Sequence, residues 1–356
     1  MSVRRCLTAL VIATVAAACA APAASAKTKV IYAGGPPPKA GQAGSVQFPA
    51  DLDLNGFFRR TATVHVGDSV RWVFSKRVVH TVTFLAPGQS RPPLEQQDAA
   101  NPYTGFSDST GAPMWFNGQP SLLIPPDHAF PQGGAATDGT AYRNSGLSAP
   151  AFQPYTLKFT KKGSYKYICL VHPGMAGRVK VLPKSATIPS GRADRRARVA
   201  EFAKAVKRSK KLAKLRPKGN NVVAGNDAGN VAWFRFFPAT RTIKAGQSVR
   251  FSIASKSEIH TMTFGPQPSK DLVMVQPQAS GPPRLQFNPF MFLPSDPVLP
   301  PYTRTNHGDG FFNTGIMDSN PQSPPPSSVD VTFPNAGTYL YECTIHPGME
   351  GTIKVE

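Results

Sequence analysis

YKYICLVHPGMAGRVKV, Tyr165 to Val181, recurs as YLYECTIHPGMEGTIKV, Tyr339 to Val355, with ten of 17 positions identical at a constant offset of 174 residues. Each copy carries a cysteine (Cys169, Cys343), a histidine three residues on (His172, His346) and a methionine three further (Met175, Met349). Alternating apolar runs flank a Pro-Gly turn, so each copy reads as strand, ligand loop, strand. A thiolate, an imidazole and a thioether from one short loop form a soft donor set. Such a set favours copper over magnesium, calcium or manganese and is not a usual zinc set.

The 356 residues leave room for two ordinary domains, and the repeat independently argues for two. Pro 37 and Gly 30 make up about a fifth of the chain, above the usual level of roughly 12%. With Val, Thr and Phe in short alternating runs, the expected class is all-β with long irregular connections. The net charge is +20, but Lys184 to Lys218 alone holds 13 Lys or Arg against Asp194 and Glu201. Charge concentrated in one connecting segment, with two mildly basic lobes around it, argues against a nucleic-acid-binding protein.

Residues 1–26 have the features of a secretory signal: Arg4-Arg5, an apolar run from Leu7 to Ala18, then Ala24-Ser25-Ala26. The expected location is therefore exported: periplasmic, extracellular or at the cell surface. Cys6 and Cys19 fall inside that signal, leaving Cys169 and Cys343. A disulfide between these two is one reading. Equivalent positions, each followed by His and Met, are better explained by one metal thiolate per domain.

Along the chain, Lys27 to Gly44 is Gly- and Pro-rich and reads as an extended lead-in. The first domain is assigned to 45–183, a basic linker to 184–220 and the second domain to 221–356. Thr61 to Phe84 matches Thr240 to Phe264 with one residue inserted, and in both a histidine, His80 or His260, opens a Thr-x-Thr-Phe strand. These are the only histidines outside the loop motif that repeat. In the linker, Val199, Phe202, Val206, Leu212 and Leu215 fall roughly at helical spacing, which predicts a basic amphipathic helix. It reads first as a linker helix packing its apolar stripe on the domains, and second as an attachment to an anionic membrane or cell-wall surface.

The strands V-G-D-x-V-x-W and H-x-V-x-F, closed by Y-x-C-x-x-H-P-G-M-x-G-x-I-x-V, resemble the cupredoxin family of small blue copper proteins such as amicyanin, pseudoazurin and plastocyanin. The resemblance implies two Greek-key β-sandwich domains, each with a type 1 copper near one end. Its ligands would be His80, Cys169, His172 and Met175 in the first, and His260, Cys343, His346 and Met349 in the second. It further implies that the loop histidines His172 and His346 lie near the surface as electron ports to redox protein partners. Two imidazoles and a thiolate with a long axial thioether are the ligand set of copper electron transfer.

The chain departs from the compact family members between the strand histidine and the loop cysteine, where long aromatic, Pro-rich inserts contain Met114 to Phe130 and Leu285 to Tyr302. Asn144-Ser145-Gly146-Leu147 resembles Asn313-Thr314-Gly315-Ile316. These shared features predict ordered loops packed near the copper end. The residue after the strand histidine, often asparagine in the family, is Thr81 or Thr261, which leaves open how the ligand loop is tied to that strand. Two rival functions stand beside the electron carrier. A copper oxidoreductase of the nitrite reductase kind would need a type 2 copper built from His128 and His307, both read as surface-loop histidines. No H-x-H pair exists for a trinuclear cluster, and His65 reads as solvated. A copper-delivery protein would carry Met- or His-rich tracts, which the chain lacks.

Overall fold

The computed structural model describes residues 26–34, 49, 51–321 and 323–356; the expected signal at 1–26, apart from Ala26, lies outside the described residues, and so do its two cysteines. Period-two alternation decides which face each strand buries. In Ser69–Phe74, Val70, Trp72 and Phe74 are buried while Arg71 is exposed. In Gly337–Glu342, Tyr339 and Tyr341 point inward and Leu340 is exposed. Two such faces pressed together make a sandwich.

The first lobe pairs Phe57–Phe58, Thr28–Ala33, Ser69–Phe74, Tyr155–Phe159 and Ala136–Thr137 in one sheet. Its second sheet orders Arg143–Asn144, Thr83–Phe84, Gly163–Ile168, Ala176–Leu182 and Thr61–His65. The second lobe repeats the plan. Asn221–Ala228 runs parallel to Ser248–Ile253 as Thr28–Ala33 runs parallel to Ser69–Phe74, and Thr240–Ile243 runs parallel to Glu350–Val355 as Thr61–His65 does to Ala176–Leu182. The all-β, two-sandwich expectation matches this architecture.

The lobes are more entangled than a domain division at residue 45 suggests. Thr28–Ala33, inside the expected lead-in, is an inner strand of the first lobe, because its own alternation TKVIYA precedes the Gly-Pro run. Leu52–Asp53 instead pairs with Trp233 and Ala232, extending the second lobe's sheet. The two inserts also pair with each other. Gln96–Pro102 and Pro120–Ile124 from the first join Arg284–Phe287 and Val273–Gln276 from the second in one four-stranded sheet, with Leu285 opposite Ile124. The Tyr103 hydroxyl donates to the Phe287 carbonyl at 2.9 Å and the Trp115 indole to that of Pro294 at 2.9 Å. A shared aromatic cluster forms beside them from Tyr103, Met114 and Phe116 with Phe290 and Phe311.

The basic linker is helical over Gly191–Leu212, with the Ser190 hydroxyl capping Ala193 N–H. It packs on both lobes. Phe202 stacks on Phe58 with ring centroids 4.3 Å apart, and the Trp233 indole donates to the Ser209 carbonyl at 2.9 Å. Asp194, in the first turn, takes up Lys29 and Arg59 of the first lobe. Truncating the fully buried anchor by Phe202→Ala is expected to lower the stability of the whole chain by about 3–5 kcal/mol, read as an earlier denaturant midpoint for both lobes together.

Candidate metal centres

Each centre is assembled from the strand histidine and the Cys-x-x-His-Pro-Gly-Met loop. The loop closes on itself through Cys169 N–H donating to the Met175 carbonyl at 2.9 Å and Met175 N–H to that of His172 at 3.2 Å, with 2.9 and 3.0 Å for the same bonds at Cys343, His346 and Met349. The threonine after each strand histidine ties the loop down. Thr81 Oγ1 accepts from Leu170 N–H at 2.8 Å while its own N–H points to Cys169 Sγ at 3.4 Å. Thr261 does the same, accepting from Thr344 N–H at 2.9 Å and donating to Cys343 Sγ at 3.5 Å. Threonine thus fills the role left open in the sequence.

The resulting clusters are His80, Cys169 and His172, and His260, Cys343 and His346, with ligand atoms in each group lying within 4.8 Å of one another. Nδ1 to Nδ1 is 3.1 Å in both, and Sγ to Nδ1 is 3.9 and 3.5 Å in the first and 3.8 and 3.5 Å in the second. Met175 and Met349 are buried in the same apolar clusters as the two cysteines. Two inward-facing imidazole nitrogens and a sulfur in a closed apolar pocket, with a thioether in the same core, fit copper by donor chemistry. No third cluster of this kind exists among the described residues.

Glycines shape the far side of each strand histidine. A Cβ on Gly34, at φ 74°, would come within 2.3 Å of His80 Nε2, and one on Gly225, at φ 64°, within 2.2 Å of His260 Nε2. Only glycine accommodates both the left-handed backbone and that ring contact. The Asn-Ser/Thr-Gly elements of the inserts brace the same strand. Val82 N–H donates to Ser145 Oγ at 2.8 Å, and Met262 N–H to Thr314 Oγ1 at 3.0 Å.

The loop histidines do not reach the surface. His172 is 1% and His346 7% exposed, because the two lobes meet there. Their Nε2 atoms converge on one carboxylate, with His172 Nε2 3.4 Å from Glu258 Oε1 and His346 Nε2 3.3 Å from Glu258 Oε2. Asn55 Nδ2 also donates to Oε1. Phe234 stacks on the His346 ring at 4.2 Å between centroids. A cleft of about 1460 Å³ between the lobes is lined by His172, His346, Glu258, Phe234, Arg91 and Trp115 among others. Glu258 carries no signal in the repeated motif, but it is the charged residue at the place where the first copy has Val78, two residues before the strand histidine.

Electrostatics follow from this burial. Burial pushes Glu258 up, yet His172 and His346 outweigh it and bring the carboxyl down to about 2. Burial opposes a charged His172, but Glu258 and Cys169 raise it to about 9, and Cys343 with Glu258 raises His346 to about 10. Both thiols, despite burial, are held well below their ordinary value by the paired histidines. The remaining histidines lie apart from the two clusters among the described residues. His65 bonds to the Ala186 carbonyl at 2.8 Å. His128 is buried rather than on the surface, and His307 bridges Asp108 and Asp296 between the inserts at 3.3 and 3.2 Å.

Each lobe is thus a pair of five-stranded sheets holding one buried His-Cys-His cluster. Among solved structures, plastocyanin from Dryopteris crassirhizoma matches at 19% identity over 38% of this chain and 99% of its own, with a TM-score of 0.21. A purple cupredoxin from Nitrosopumilus maritimus matches at 14% over 38% and 98%, TM-score 0.20, and a mutant amicyanin with Cu(I) at 22% over 35% and 70%, TM-score 0.19. No family model matches the chain, and no curated protein does.

Two outcomes test these centres. Gly225→Ala is expected to cost about 1–3 kcal/mol through overpacking against His260 and to weaken copper binding in the second lobe alone, measured by metal titration. In the copper-free chain, the lowered Glu258 contributes stability that is complete above 4.5 and lost as pH falls toward about 2. The raised His172 and His346 contribute stability complete below 6.5 and lost as pH rises through about 9 and about 10. The stability gap between wild type and Glu258→Gln, about 3–5 kcal/mol for a broken buried pair, is therefore widest between pH 4.5 and 6.5 in denaturant titrations.

Proposed function

We propose that the protein is an exported electron carrier with one type 1 copper in each lobe, held by His80, Cys169, His172 and Met175 and by His260, Cys343, His346 and Met349. The observation that carries this reading is the pair of buried His-Cys-His clusters built identically in both lobes. Copper supplies a one-electron redox couple there, and the chain supplies a preorganised shell. Each loop is closed by its own hydrogen bonds and pinned to the strand by Thr81 or Thr261. Little has to move when charge changes, the property that electron carriage requires of a site.

Export is supported by the signal-like residues 1–26. The partners in this reading are redox proteins that deliver electrons at the cleft bordering His172 and His346. The outward Lys and Arg of the Gly191–Leu212 helix offer contact to anionic surfaces, including membrane or cell-wall polymers.

Copper loading of the purified chain, followed by metal counting and visible absorption, is expected to give two coppers, one for each cluster, and an intense thiolate-to-copper band. Cys169→Ser and Cys343→Ser should each abolish one copper and roughly half of the band. A colourless protein that takes zinc in preference overturns the reading, and steady turnover of nitrite would replace it with the oxidoreductase.

A further inference from the structure

We propose that Glu258 links the two metal centres into one unit, so that an electron placed on either passes to the other inside the molecule. This rests on the copper reading above. It is carried by geometry: the two loop histidines turn their Nδ1 atoms to the clusters and their Nε2 atoms to opposite oxygens of one carboxylate, at 3.4 and 3.3 Å. With Nδ1 committed to the metal, Nε2 keeps its hydrogen and donates, so the carboxylate accepts from both rings. The continuous path is imidazole, hydrogen bond, carboxylate, hydrogen bond, imidazole. Asn55, donating to Oε1, and Ser257, within 3.4 Å of Asn55 Nδ2, hold that path in place.

The exchange balances without any added reactant. The Cu(I) of one centre is oxidised as the Cu(II) of the other is reduced, and no proton changes place, since both Nε2 atoms donate before and after. Electrostatics act in the same direction. A thiolate-bound copper centre would be neutral when reduced and singly positive when oxidised, so the negative charge of Glu258 attracts each centre in its oxidised form. That charge lowers the potential of both centres alike, and the mutual repulsion of two oxidised, positive centres is what favours the half-reduced molecule over a mixture of fully oxidised and fully reduced chains. The centres are nonetheless distinguishable, because Phe234 stacks on the His346 ring.

The test uses the full copper-loaded chain, with Cys169→Ser and Cys343→Ser supplying the spectrum of each remaining centre. After pulsed reduction by less than one electron equivalent, the wild type is expected to show a second absorbance phase whose rate does not depend on protein concentration. That phase should be absent from both single-centre variants. Glu258→Gln is nearly isosteric, but its amide nitrogen donates where an acceptor is needed and so breaks one of the two bonds. It should slow the phase roughly 10- to 100-fold, raise the reduction potential of both centres by removing a negative charge, and leave both thiolate-to-copper bands in place. Asn55→Ala, which keeps the carboxylate but removes an anchor, should slow it by a smaller factor. A phase that depends on concentration, or one unchanged in both Glu258→Gln and Asn55→Ala, overturns the link while the bands uphold the copper reading. A wild type without those bands overturns the copper reading itself, and the link with it.

Discussion

A charge buried between two protein bodies is tolerated only when opposite charge and hydrogen bonds surround it, and that constraint governs the seam of this molecule. Glu258 is 8% exposed, yet it faces two imidazoles and the Asn55 amide. Behind each imidazole sits a cysteine sulfur within 3.5 Å of Nδ1. Thiolate, imidazole, carboxylate, imidazole and thiolate thus alternate through an apolar interior. Each group makes its neighbour's charged form acceptable.

Elements that meet this requirement recur around the seam. Leu52–Asp53 crosses to the second lobe's sheet and brings Asn55 to the carboxylate. The inserts, which lengthen the path from strand histidine to loop cysteine, form a common sheet and cluster their aromatics over the joint. The linker helix closes another side by burying Phe202 against Phe58 beside Trp233. Fixing the two sandwiches relative to one another at several points holds two 3.3–3.4 Å contacts on a single side chain.

What could be read from the sequence divides along the line between repeated and unrepeated features. The sandwiches, the ligand loops and the distant His80 and His260 all occur twice, and recurrence at matching places is what made them legible. The joint between lobes occurs once. Nothing local distinguishes Gln96–Pro102 as the partner of a sheet completed by residues nearly two hundred positions later, because strand pairing is set by tertiary packing rather than by propensity. The burial of His172 and His346 was likewise hidden, since nothing within the loop motif marks that another lobe packs over it. One trace was present: SKSEIH departs from SKRVVH by a charge in an apolar place, and an unpaired difference within a repeat marks where the two copies do different work.

Val78 and Glu258 occupy matching places two residues before the strand histidines, and each leans on the opposite lobe: Val78 packs against the second lobe's core while Glu258 meets the first lobe's His172. The arrangement is nearly reciprocal, like the isologous face of a two-fold dimer. Identical subunits could not have built it, because symmetry would bring either two carboxylates, which repel, or two valines, which leave both imidazole N–H groups without an acceptor. Covalent tandem duplication frees the two copies to differ at one position. The broken symmetry of that pair is therefore a property available to a fused chain and closed to an assembly of equals.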